Sequence, residues 1–170
     1  MTRLRTANLL AALAGEITDR VEAELKTHPN QTDSSVAALN IMSFWDGITN
    51  AELAKALHLS HTATVRLVDK LEEQGLVEAR GGDDRRATYL HLTSSGKKAV
   101  QPALRARCVA VDGYLDVLTK AEEAQLAGLL AKLIRPLAKD DMAISHFCRL
   151  CDFTVCPDDQ CPMHAGHSAP

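Results

Sequence analysis

Cys148, Cys151, Cys156 and Cys161 stand in the pattern C-x2-C-x4-C-x4-C and make up four of the chain's five cysteines. Thiolates at C-x2-C spacing reach one ion together, and four of them meet the tetrahedral demand of Zn²⁺. A disulfide framework is the poorer reading for a protein expected in the reducing cytoplasm. Pro157 and Pro162 directly follow two of the cysteines and stiffen the turns that carry them. The only apolar neighbours of note are Phe147, Leu150, Phe153 and Val155, too few to fold the segment without a metal. The expectation is a structural zinc site. The alternative is an iron–sulfur cluster on the same four cysteines, acting as a redox or iron sensor. A third reading is a disordered tail with reactive thiols. His164, His146 and His167 lie close by and are read as solvated rather than ligating.

A second group of side chains suits a DNA duplex. Ser60, His61, Thr62, Thr64, Arg66 and Lys70 can donate to phosphates or base edges, and they fall at the start of or along one segment, His61–Glu73, that reads as a helix. Ser60 is its N-cap and Gly75 its stop. Val65, Val68 and Leu71 form its inward face, which turns His61, Thr62, Arg66 and Lys70 outward. Upstream, residues 49–57 form a shorter helix, opened by Thr49 and Glu52 at capping-box spacing, and His58-Leu59-Ser60 is the turn between the two. Downstream, residues 76–80 and 87–92 read as two short strands around a Gly81-Gly82-Asp83-Asp84-Arg85-Arg86 tip. A short helix across a second with a polar, basic start is the helix-turn-helix solution for entering a major groove. With the hairpin, the segment reads as a winged DNA-binding unit.

Here the chain closely resembles the MarR family (multiple-antibiotic-resistance regulators). The resembling residues are Ala51-Glu52-Leu53-Ala54, Leu67-Val68-Asp69-Lys70-Leu71-Glu72, Gly75-Leu76-Val77, Asp84-Arg85-Arg86 and Leu92-Thr93-Ser94-Ser95-Gly96. The likeness runs from about residue 5 to residue 138. By resemblance, Asp84, Arg85 and Arg86 hold the wing's shape and send an arginine toward the minor groove. The resemblance also implies a homodimer on a double-stranded DNA operator, blocking polymerase until a small-molecule effector changes the separation of the recognition helices.

The flanks supply the surfaces for such a dimer. Residues 4–28 carry Leu10, Leu13, Ile17, Val21 and Leu25 along one side, and Asp33 or Ser34 caps a second helix ending near Trp45. Residues 94–118 place Leu104, Cys108, Val111, Leu115 and Leu118 in an a/d stripe. Thr119 and Glu122 open a last long helix with Leu126, Leu129, Leu130, Leu133, Ile134 and Leu137 on its apolar face. The fold class is mainly α with a small β-wing. Residues 1–32 form a dimerisation helix, 33–93 the winged unit, 94–139 the dimerisation helices and 140–170 the metal-binding tail.

Net charge is −3, unhelpful at first sight for a nucleic-acid partner. The deficit is local. Residues 139–170 hold Lys139 and Arg149 against Asp140, Asp141, Asp152, Asp158 and Asp159, so the remainder balances, with its positive charge focused on the recognition helix and wing. The acidic tail also argues against single-stranded nucleic acid as the partner of a zinc-knuckle-like module. No apolar run suits a membrane and no signal peptide opens the chain, so a cytoplasmic protein with no membrane partner is expected. No catalytic constellation is present, and four cysteines would close a zinc ion's coordination sphere to water. The function read is a sequence-specific regulator, a repressor on a palindromic operator. The other class is a metal-binding interaction protein that reuses the winged fold.

Overall fold

The computed structural model describes residues 2–25, 32–81, 88–156 and 161–163. In chain order its elements are α1 (Arg3–Leu25), α2 (Asp33–Phe44), β1 (Ile48–Thr49), α3 (Asn50–Leu57), α4 (His61–Glu73), β2 (Val77–Gly81), β3 (Thr88–Leu92), α5 (Ser94–Asp112), α6 (Lys120–Ile134), a 3-10 turn (Arg135–Leu137) and α7 (Asp141–Cys148).

Local signals fix the centre. The Thr49 hydroxyl accepts from the Glu52 amide at 3.3 Å, and the Glu52 carboxylate accepts from the Thr49 amide at 2.9 Å. The Thr49 amide, and then its hydroxyl donating at 2.7 Å, hold the Glu52 carboxyl below its ordinary value. His58 ends α3 in the left-handed region at φ 55. Ser60 then caps α4, accepting from the Ala63 amide at 3.2 Å. Gly75, at φ 67, turns the chain so that the Leu76 amide returns to Leu71 O at 2.9 Å. The boundaries of α4 are those expected.

The sheet holds one strand the sequence reading lacked. Its order is β1-β3-β2, with Ile48 opposite Leu90 and Val77 opposite Leu92. The α2 helix is the spine of the core, buried from Ser35 to Met42. Thr32, rather than Asp33 or Ser34, caps it, accepting from the Ser35 amide at 3.2 Å. Leu39, Ile41, Met42, Ile48, Leu53, Leu71, Leu90 and Leu104 close around it, each worth about 1.5–3 kcal/mol when fully buried.

The long helices leave that core half-dressed. The α1 helix packs on α5, where Arg20 Nε donates to Ala110 O at 3.0 Å and the Tyr114 hydroxyl to Glu16 at 2.9 Å. Its Leu4, Leu9, Leu10 and Leu13 remain exposed. The α5 helix stops at Asp112, before the expected residue 118, because Gly113 and a run of turns follow. Cys108 is exposed, a correction to its reading as a buried member of the α5 stripe. Thr119 and Glu122 do cap α6, yet α6 buries none of its residues, and Leu129, Leu130 and Leu133 face outward.

The tail folds back. The Asp140 carboxylate accepts from the Ala143 amide at 2.7 Å and so starts α7, a helix too short to announce itself by periodicity. It packs chiefly on α3, with lesser contact to the 3-10 turn. The tail thus docks mainly on the winged unit, with further ties to the 3-10 turn and to Arg107 of α5.

Candidate functional site

The α4 helix presents the polar face first. His61, Thr62, Arg66 and Lys70 are exposed, as is Ser60 at the cap. No acidic residue occupies the first turn of α4, so its positive end is free to favour phosphate. Thr64 does not belong to this face. It is fully buried and its hydroxyl donates back to Ser60 O at 3.1 Å, which corrects its assignment as a DNA contact. It shares the inward stripe with Val68 and Leu71, while Val65 sits half-buried on the shoulder.

The helix and wing are joined rigidly. Glu72 on α4 accepts from the Ala79 amide of β2 at 2.9 Å, and Thr93 bonds Gly75 O at 2.7 Å through its hydroxyl. At the outer end of β2, Arg80 pairs with Glu78. Asp84, Arg85 and Arg86 lie outside the described residues. On the other side, His91 of β3 meets the Asp46 carboxylate at 2.9 Å and ties the wing to the end of α2.

The cysteines gather in a second, smaller core. Cys148 and Cys161 are buried beside Ile144 and Met163, with Cys151, Cys156, Phe147 and Phe153 packed against them. The Cys148 thiol donates to Cys151, which pulls Cys151 down to about 7 against the opposing effect of burial; Arg107 and Arg149 act in the same direction. The same bond, then burial, pushes Cys148 well up. All four cysteines thus belong to one small apolar cluster, and the donor set suits a thiophilic ion. They do not form a finished cage: among the described residues, no three Cys, His, Asp or Glu side chains converge as ion ligands. His164 and His167 lie outside the described residues. His146 is engaged elsewhere, its Nδ1 on Ala56 O at 2.9 Å and its ring stacked on His58. Burial, ahead of the charges of Arg149 and His58, holds it below the ordinary imidazole value.

The sequence reading missed the residues that seat this pocket. Asn40, in the middle of α2, donates to carbonyl oxygens of the Cys148–Cys151 loop, and Arg107 of α5 donates to Leu150 O at 2.9 Å. Phe44 meets Phe153 edge-on, with 5.2 Å between ring centres. The one available signal was an Asn in the apolar run Val36 to Met42, a polar residue that needs a partner. Among the described residues, no helix is long and apolar enough to cross a membrane.

Comparison with known proteins agrees with the winged part of this arrangement. A family model described as MarR family matches residues 32–87, from the start of α2 through the wing. A putative transcriptional regulatory protein for the hcr operon of Thauera aromatica is 30% identical over 112 residues, covering 65% of this chain and 68% of that protein. The uncharacterized HTH-type regulator YwhA of Bacillus subtilis is 29% identical over 113 residues, 66% of this chain and 80% of that one. The transcriptional repressor MprA of Escherichia coli is 33% identical over 91 residues, 53% of this chain and 52% of MprA. Among solved structures, a MarR family protein from Bacillus stearothermophilus superposes with TM-score 0.70 at 23% identity, over 82% of this chain and all of that one. Streptococcus pneumoniae FabT, solved in complex with DNA, gives 0.66 at 19% identity, over 80% of this chain and 97% of FabT. With its winged unit matched by the family model and curated regulators aligned across two thirds of its length, the chain belongs to the MarR family of transcription regulators, and it is not an enzyme.

Proposed function

We propose that this protein is a repressor that binds a palindromic double-stranded operator as a homodimer, with a structural zinc ion held by Cys148, Cys151, Cys156 and Cys161. The observation that carries the DNA-binding part is the α4 face. His61, Thr62, Arg66 and Lys70 are exposed together on a capped helix fastened to a wing. Ser60 and the wing residues Asp84, Arg85 and Arg86 complete the contact set, with Arg85 reaching backbone or minor groove. The names of MprA, a repressor, and FabT, solved with DNA, support the direction of the reading.

The dimer reading rests on the outer faces of α1 and α6. Leu4, Leu9, Leu10 and Leu13 on one and Leu129, Leu130 and Leu133 on the other are 42–82% exposed in the single chain. A two-fold axis through these helices would bury both faces and set two recognition helices about one DNA turn apart. A small-molecule effector acting between the dimerisation helices and the winged unit would then mis-space one half-site.

Arg66→Ala tests the assignment. Against a duplex selected by the wild-type protein from a random-sequence pool, the variant is expected to bind about 10- to 100-fold more weakly, as loss of a bidentate base contact requires. Its affinity for random duplex should change little, whereas Arg85→Ala should weaken both. Unaltered binding in both variants would remove α4 and the wing from the interface.

The iron–sulfur reading keeps one supporting observation, the Cys156-Pro157 and Cys161-Pro162 pairs, since cysteine followed by proline also occurs at such clusters.

A further inference from the structure

The loop between the first two cysteines is gripped by side chains of α2, in the DNA-reading unit, and of α5. Helix α7 ends at Cys148, and the last carbonyls of a helix find no partner within it. Cys148 O takes the Cys151 amide at 2.8 Å, and Asn40 serves the carbonyls beyond it. Its side-chain amide donates to Arg149 O at 3.1 Å and Cys151 O at 3.0 Å, with Cys148 O at 3.4 Å. The remaining carbonyl of the loop, that of Leu150, takes the Arg107 guanidinium at 2.9 Å. Three consecutive carbonyls, those of Arg149, Leu150 and Cys151, are thus held by two side chains from α2 and α5.

Asn40 is 1% exposed in the middle of the core spine, and its Oδ1 has no hydrogen-bond partner among the described residues. An apolar side chain would avoid that cost. What the amide gains is the tail. A second tie lies on α3, where His146 bonds Ala56 O and stacks on His58 with 3.5 Å between ring centres. The α2 helix packs on α3, and α3 packs on the recognition helix α4.

We propose that the cysteine site is a regulatory input to DNA reading. Zinc bound there fixes the Cys148–Cys151 loop on Asn40 and Arg107, and so holds α2 and α3 in the arrangement that presents α4. Loss of the ion frees the loop, leaves the Asn40 amide without its partners and loosens α3 from α7, which weakens binding. The inference rests on the zinc reading above and adds a consequence to it: the ion is a co-repressor rather than a staple for the tail alone.

The test uses the full chain, zinc ion as the probe and a duplex selected by the zinc-loaded protein from a random pool. Stripping zinc with a chelator should weaken binding about tenfold, and returning zinc should restore it. Asn40→Leu keeps the side-chain size but removes the donors. It should still bind zinc while its response falls below about twofold. Arg107→Met carries the same expectation should Asn40→Leu fail to fold, as judged by circular dichroism. Cobalt substitution with thiolate charge-transfer bands reports binding of the ion independently of DNA. Full zinc binding with equal affinity of loaded and stripped protein would overturn the regulatory proposal and leave the zinc reading standing. Absence of zinc and cobalt binding would overturn both. A tenfold response undiminished in both variants would overturn the route through Asn40 and Arg107.

Discussion

Gly96→Ala puts the joint between α5 and the wing to a quantitative test. Gly96 is the third residue of α5, where alanine is the better helix former by about 1 kcal/mol. On propensity alone the substitution stabilises. The surroundings oppose it. A Cβ there would stand 2.0 Å from Leu76 O, 3.0 Å from Leu76 C and 3.2 Å from Leu92 Cδ2, where ordinary contact begins at 3.4 Å. The obstacle is backbone, and it is held: Leu76 O accepts from the Thr93 amide at 3.1 Å, and the Leu76 amide is bonded to Leu71 O at 2.9 Å. Moving α5 away by about 1 Å forfeits packing, and overfilled sites of this kind cost about 1–3 kcal/mol. It also strains the Thr93 cap, whose hydroxyl accepts from the Gly96 amide at 3.0 Å and which is worth about 1 kcal/mol. The steric effect wins, by roughly 2 kcal/mol net. For a chain of this size the thermal midpoint should fall about 4–8 °C, read by calorimetry or urea unfolding. An unchanged or raised midpoint would refute the argument that Leu76 is fixed by Thr93 and Leu71. Because Leu76 leads directly into β2, operator affinity measured well below the midpoint should fall as well.

Thr49→Ala should cost about 1 kcal/mol at neutral pH by removing a cap of α3. The Glu52 carboxyl is depressed in the folded state, so the stability it contributes is present above its unfolded value and lost as pH falls through the folded one. The gap between wild type and Thr49→Ala should therefore narrow, without closing, below about pH 4 in urea titrations as the Thr49 hydroxyl loses its carboxylate partner, and a constant gap would refute the capping-box linkage. Leu133→Glu and Leu10→Glu each place a charge on an exposed apolar face and should shift sedimentation toward the monomer, whereas two dimeric variants would reject the α1–α6 interface. Tag-free protein purified anaerobically should be colourless and carry about one zinc per chain, lost in Cys151→Ser. A brown protein that bleaches in air would favour the iron–sulfur cluster, and fully folded metal-free protein would reject both.

The reading of residues 48–93 came close because its instructions are local. Thr49 with Glu52, Ser60 and Gly75 each act within four residues, so the α3–α4 boundaries could be placed without knowing the fold. The strand β1 escaped because two residues have no periodicity, and only the non-local pairing of Ile48 with Leu90 makes them a strand. Thr64 was misplaced for a different reason. Its chemistry suits DNA, but its spacing to Val68 and Leu71, four and seven residues on, put it on the buried stripe. Cys108 was misread the other way: it lies on the α5 stripe, yet it is exposed in the single chain. The docking of the tail depended on Asn40, more than a hundred residues away, and no spacing rule reaches so far.

That docking matters more here than it would in a strongly basic protein. Residues 1–138 carry as many acids as bases, so general attraction to duplex DNA is weak, and on the proposed contact set binding would rest on a few groups of α4 and the wing. Each specific base contact is worth about 1–3 kcal/mol, and the proposed dimer makes each twice. Loss of one contact per half-site would thus reduce affinity by one to several orders of magnitude, with no broad electrostatic term to mask it. A small tilt of α3 is therefore enough to matter. The tail reaches α3 through Ala56 and His58, and α2 through Asn40, both upstream of the recognition helix. On the regulatory proposal, a metal-dependent segment placed there would act on the geometry of reading while keeping its own acidic charge out of the contact set.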